Sequence, residues 1–264
     1  MLRDIWTKTL FDQRFALLGW AVGLAFVSLI YAAFYPSVND AAFADAMANF
    51  PQGLMDAFGW TDLTSPAGYL GSTVFGLLAP ILTLILAAST GARAIAGDEE
   101  AGTLELLLTL PVSRRRVVWQ RALSLVVVMA LAGLIVFTAL LAIRAPAQID
   151  GVPPANLAAA SAHLSLLGLT YGALAMAVGA ITGRRGLVLA VTAVAAVVGY
   201  MGNTVAAAIN GLSWLQNISP FFYYSGGEPL RNGPQWGDAV VLLVVSGVLV
   251  AVATIAFGRR DAGV

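Results

Sequence analysis

Six stretches of the chain contain no Asp, Glu, Lys or Arg: Phe15–Asn39, Leu63–Ala92, Ala122–Ile143, Gly151–Gly183, Gly186–Gly227 and Ala239–Gly258. Each reaches or exceeds the roughly 20 residues a helix needs to cross the hydrocarbon core of a bilayer. They predict helical spans at about 15–35, 68–92, 117–143, 157–182, 186–209 and 238–258. The stretch Gly186–Gly227 is long enough for two spans. Its second half is broken by Asn210-Gly211, Asn217 and Ser219-Pro220, so it predicts one span followed by shorter, partly embedded pieces.

Between the spans the pattern changes. In Met1–Leu10, Leu2, Ile5, Trp6 and Thr9 recur at helical spacing. This predicts an amphipathic elbow helix lying at the interface. Phe43, Met47 and Phe50, then Leu54, Met55 and Phe58 after Pro51, predict short interfacial helices in the loop from Pro36 to Pro66. In the loop from Gly211 to Asp238, five aromatics fall between Trp214 and Tyr224. They fit an interfacial belt or a re-entrant hairpin. The third span has no polar side chain between Ser124 and Thr138, the composition of a lipid-facing helix. The fourth carries Gly168 and Gly172, then Ala175, Gly179 and Gly183, a spacing that permits close helix packing. Pro80 predicts a kink in the second. His163, near the outer end of the fourth, reads as a hydrogen-bonded interfacial group.

Composition agrees with this pattern. Of 264 residues, 59% are hydrophobic and 11% charged; a soluble domain carries about 25% charged residues. The mean hydropathy is +0.84. The expected fold is therefore an all-α integral membrane domain over 1–264, with no separate soluble domain. The polar, acid-containing MLRDIWTKTLFDQR predicts no cleavable signal. Cysteine is absent and histidine occurs once, which excludes thiol chemistry and gives no set for a metal cluster. The balance of 14 basic against 14 acidic residues is uninformative by itself, and no nucleic-acid partner is expected.

The distribution of charge sets orientation. With six spans and both termini on one side, only Arg144 and Arg231 of the 14 Lys and Arg residues fall on the opposite side. Asp40, Asp45, Asp56, Asp62, Asp150, Glu228 and Asp238 fall there too. The arginine-rich side is the cytoplasmic one.

That side also holds the densest charge. The stretch from Arg93 to Arg121 carries Asp98, Glu99, Glu100, Glu105, Arg93, Arg114, Arg115, Arg116 and Arg121. Asp98 is placed to cap a short helix over about 99–109, with Glu99 and Glu100 favoured in its first turn. Pro111 ends it. Leu104, Leu107 and Leu108 share one face, and Ser113 is placed to cap the third span. The bare pattern fits a docking helix or an interfacial helix touching lipid phosphate.

The run EEAGTLELLLTLPVSRRR resembles the E-x-G-T-L-E-x-L-L-x-x-P-x-S-R pattern of exporter-class ATP-binding-cassette permeases of the type 2 family. It matches at Glu100, Gly102, Thr103, Leu104, Glu105, Leu107, Leu108, Pro111, Ser113 and Arg114. The later SPFFYYSGGEPLRNG is similar to the S-P-F-x-Y … P-L-x-G run of the same permeases. The resemblance implies that the 99–110 helix couples the membrane subunit to an ATPase subunit. It also implies an elbow helix, a second permease protomer (the same chain or a related one) and residence in a bacterial or archaeal plasma membrane. ATP and Mg are then expected on the partner. This chain has no G-x-x-x-x-G-K-[ST] and its only lysine, Lys8, lies in no glycine loop, so no cofactor and no catalysis are expected here.

In the fifth span Tyr200, Asn203 and Thr204 share a face. Polar groups in a membrane require partners, so this stripe serves interhelical hydrogen bonds or faces a substrate. Tyr171 is a second candidate for such a path. The expected function is export of a hydrophobic or amphipathic substrate: a drug, antibiotic, lipid or glycan-like molecule. The rivals are a mechanotransmitting scaffold and an ATP-independent secondary transporter. The latter would want ionisable groups inside its spans, and no Asp, Glu, Lys or Arg falls at mid-span.

Overall fold

The computed structural model describes residues 5–38, 62–100, 102, 113–208 and 213–260. All regular structure among them is helical. Among the described residues, six helices are long and apolar enough to cross a membrane: Arg14–Val38, Pro66–Glu100, Arg114–Ile143, Pro154–Thr182, Arg185–Thr204 and Trp236–Arg259. These are spans 1 to 6. The second continues past Ala92, through the acidic triplet, to Glu100. The chain is a multi-pass membrane protein. The interfacial helices expected between Pro36 and Pro66 fall on 39–61, outside the described residues.

Span 4 is the centre of the bundle and packs on spans 2, 3, 5 and 6. Its small residues are the reason. A Cβ on Gly91 of span 2 would run into the Gly172 carbonyl of span 4 and stand 2.7 Å from Ala175 Cβ, so these two backbones meet with no room for a side chain. Across to span 6, Thr170 and Ser246 hydroxyls pair at 3.1 Å, both buried. His163 places Nδ1 3.0 Å from the Ala159 carbonyl and Nε2 3.3 Å from that of Gln235, and so is hydrogen-bonded as expected. Spans 1 and 5 are the least buried. Span 3 departs from the lipid-facing expectation. One face, including Leu125, Met129 and Val136, is buried, and the other exposes Leu123, Leu131 and Leu134. A helix apolar all round fits both environments, so composition could not separate them.

The elbow helix forms over Ile5–Asp12 and lies against span 3, with Thr9 buried. The aromatic loop is where the sequence left two readings. Phe221 and Tyr224 of the helix Pro220–Ser225 are buried, while Trp214 stays exposed. The segment therefore packs into the bundle rather than lying wholly along its rim. Phe221 packs against Tyr171 with the rings tilted at 52° and, edge-on, against Tyr200.

Tyr224 is held by a defect in span 2. Val74–Leu78 winds as a π-helix, and the Ala79 amide donates to the Val74 carbonyl. Pro80 has no amide proton, so the Phe75 carbonyl lacks a donor on its own helix. The Tyr224 hydroxyl donates to it at 2.7 Å. Tyr224→Phe is expected to cost about 1–3 kcal/mol, the cost of a buried carbonyl left unpaired. The thermal midpoint of the purified protein in detergent measures it. An unchanged midpoint would mean that another donor replaces the hydroxyl.

Candidate functional site

The arginine-rich end of the bundle is organised by three successive carboxylates, Asp98, Glu99 and Glu100, which close the last turn of span 2. Side chains on consecutive helical residues diverge by about 100°, so each reaches a different neighbour. Asp98 pairs with Arg121 of span 3. The same guanidinium donates to the Thr9 hydroxyl of the elbow helix at 2.7 Å. Glu99 pairs with Arg260, directly after span 6, at 2.5 Å. Glu100 Oε1 accepts the backbone amide of Arg185, the first residue of span 5, at 2.8 Å, where a helix N-terminus favours negative charge.

Two further contacts close the layer. Arg114, at the start of span 3, donates to the Arg260 carbonyl. Gly183 ends span 4 with φ of 63°, and the Glu99–Arg260 pair lies directly over it. A Cβ at Gly183 would stand 2.5 Å from Glu99 Oε2 and 2.6 Å from Arg260 Nη1. The end of span 2 is thus fastened to spans 3 and 5, to the end of span 6 and to the elbow helix. These groups are half-buried, where charge pairs are screened less than at a free surface.

The local geometry corrects the expected start of the coupling helix. Asp98 has helical φ and ψ of −71° and −31° and lies inside a continuous helix, so it is not a cap. Two features explain this. A second π-helical turn over Arg93–Gly97 carries span 2 onward, and desolvated partners hold the acids in the bundle. The break comes instead at Gly102, with φ of 67°, after its amide donates to the Glu99 carbonyl at 3.0 Å. Thr103, Leu104, Glu105, Leu107, Leu108 and Pro111 lie outside the described residues. Ser113 caps span 3 as expected, accepting the Arg116 amide at 3.3 Å.

The stripe of the fifth span is also placed. Thr204 donates to the Tyr200 carbonyl at 3.1 Å, and the Asn203 carbonyl accepts from Gln216 at 3.2 Å. Tyr171 is buried, with its hydroxyl 3.4 Å from the Ala195 carbonyl. Tyr171 and Tyr200 meet through Phe221 rather than across an open space. At the opposite end, Asp62 accepts from the Ser65 hydroxyl at 2.5 Å and pairs with Arg231 at 2.5 Å. The Ser65 hydroxyl, above all, holds the Asp62 carboxyl below its usual range. A small cavity of about 190 Å³ opens there between Gly71, Phe75, Tyr224 and Arg231.

Sequence reading missed Arg185, Arg260, Thr9 and Gly183 as members of the site, and it named Arg121 in the charged stretch without a partner. The arginines that border the apolar runs fall at one end, Arg144 excepted, which predicts a shared layer. It does not predict who pairs with whom. In comparison with known protein families, residues 5–262 match the model described as ABC-2 family transporter protein. No curated protein matches the chain.

Proposed function

The chain belongs to the ABC-2 family of transporter proteins, as a membrane subunit rather than the nucleotide-binding one, and on that premise we propose that it is the permease of an ATP-driven exporter. A separate ATPase docks on the arginine-rich end, which faces the cytoplasm. The cargo is hydrophobic or amphipathic, of the drug, antibiotic, lipid or glycan class, and two permease protomers form the path. Tyr200, Asn203 and Thr204 face that path.

The observation that carries this reading is the fan of contacts made by Asp98, Glu99 and Glu100. The segment expected to meet the ATPase follows directly after them. A push on that segment reaches the ends of spans 3, 5 and 6 as one body, because packed elements move between discrete arrangements rather than deform continuously. Such a layer serves a subunit that must convert an external displacement into rearrangement of most of its spans. A solute carrier driven by an ion gradient has no use for it.

The test is transport in inside-out vesicles containing this chain and its ATPase. ATP-dependent accumulation of an amphipathic substrate is expected, and it should vanish without ATP or without the ATPase. Accumulation driven by a proton gradient with no ATPase present would refute the proposal. ATP-dependent conformational change with no movement of any substrate would favour the scaffold. Orientation is checked separately in this cysteine-free chain. Ser113→Cys should resist an impermeant thiol reagent in intact cells, and Glu228→Cys should react.

A further inference from the structure

Adjacent arginines part company at the arginine-rich end. Arg114 and Arg260 turn into the bundle, where they meet each other's chain and Glu99. Arg115 and Arg259 turn outward and are exposed; neither forms an ion pair among the described residues. They stand on the rim of one groove between the start of span 3 and the end of span 6, with a volume of about 560 Å³. Trp119 shares this groove with Ala251, Thr254 and Ile255. Trp119 is 60% exposed. The Thr254 hydroxyl is turned back onto the Val250 carbonyl at 2.8 Å, leaving a largely apolar floor.

We propose that this groove binds one anionic phospholipid from the leaflet at the arginine-rich end, with its phosphate between Arg115 and Arg259 and its acyl chain along Ala251 and Ile255. The order of the lining matches the order of the ligand. Charge lies at the helix ends, the amphipathic indole at headgroup depth and aliphatic surface toward the middle of the spans. The N-terminus of the 30-residue helix of span 3 adds the positive end of a helix dipole beside Arg115. A second copy of this chain would have to supply acids here, and its described triplet at this end, Asp98, Glu99 and Glu100, is already engaged. The groove backs directly onto the charged layer, so the bound lipid would brace spans 3 and 6 where Arg114 and Arg260 join them.

The test uses the purified chain in nanodiscs doped with brominated phosphatidylglycerol or brominated phosphatidylcholine. The fluorescence lost in Trp119→Phe isolates the Trp119 signal. Quenching of that signal should require less phosphatidylglycerol than phosphatidylcholine. Each guanidinium near the leaflet is expected to contribute about fivefold. Arg115→Gln and Arg259→Gln should each lower the preference about fivefold. The corresponding lysine variants should largely keep it, which separates charge from misfolding. Arg116→Gln, off the groove, should leave it unchanged. Equal quenching by the two lipids would overturn the proposal, as would a loss in Arg116→Gln matching that in the other two. Displacement by inorganic phosphate at constant ionic strength would assign the site to a soluble anion instead. Loss of the quenching when the ATPase is added would assign the groove to that partner.

Discussion

Gly183→Val should destabilise the protein by about 3–5 kcal/mol, estimated from the cost of a left-handed β-branched residue together with the loss of a half-buried ion pair. Two costs act together at this position. The backbone at Gly183 has φ of 63°, where a Cβ meets the following carbonyl oxygen, worst for a β-branched residue. The space above it is filled by Glu99 and Arg260, both within 3 Å of where a Cβ would stand. The side chain must therefore push apart the pair that joins the end of span 2 to the end of span 6. Two variants separate the terms. Gly183→Asn tolerates the left-handed backbone but keeps the Cβ, so its loss reports crowding. Adding Arg260→Ala to Gly183→Asn should then cost less than Arg260→Ala alone, because the pair is already displaced. Thermal unfolding in detergent gives all four values. If Gly183→Val unfolds within about 1 kcal/mol of the parent, the Glu99–Arg260 contact is not part of the folded layer.

Leu107→Asp should abolish co-purification of the ATPase. Leu104, Leu107 and Leu108 recur at i, i+3 and i+4, the spacing of anchors on one helical face. Apolar anchors at the centre of an interface each contribute about 2 kcal/mol or more, and rim charges less. A carboxylate at the central position also adds several kcal/mol for its unpaired burial, or must be protonated. Together these lower affinity by more than about 100-fold. Glu105→Lys, on the expected rim, should weaken assembly by about 1 kcal/mol and in a salt-dependent way. Pull-down of the ATPase and substrate-stimulated ATP hydrolysis measure both. Normal assembly with Leu107→Asp would make the segment a membrane anchor and remove the proposed docking surface.

The charged layer shows where sequence reading stops. Asp98 stands before a leucine-rich run and carries the signature of a helix cap. It nevertheless lies inside span 2, because Arg121 and the π-helical turn before it make continuation of the helix favourable. Gly102, two residues past that helix, is where the chain turns. Propensity there was overruled by partners far along the chain, 23 residues away for Arg121 and 161 for Arg260. Tyr224 shows the same limit. Its aromatic neighbourhood suggested an embedded segment, but the acceptor is a carbonyl 149 residues away, freed by a π-turn before Pro80.

What the sequence determined by itself is whatever depends on local composition and length. Six apolar runs gave six helices within a few residues of their expected bounds, save at the end of span 2. Small residues marked the central span, Ser113 marked a cap, and the positions of arginine distinguished the two ends. These follow from hydrocarbon thickness, from Cβ size and from the unpaired amides of a helix start. What only the tertiary structure decided is which of several equivalent choices each polar group takes. Arg114 turns inward and Arg115 outward, Glu99 takes Arg260 and Glu100 the Arg185 amide, and Gly183 alone leaves room for the pair above it. A linear pattern cannot fix these, because pairing depends on how the helices are rotated against one another, and that rotation is set by close packing along span 4.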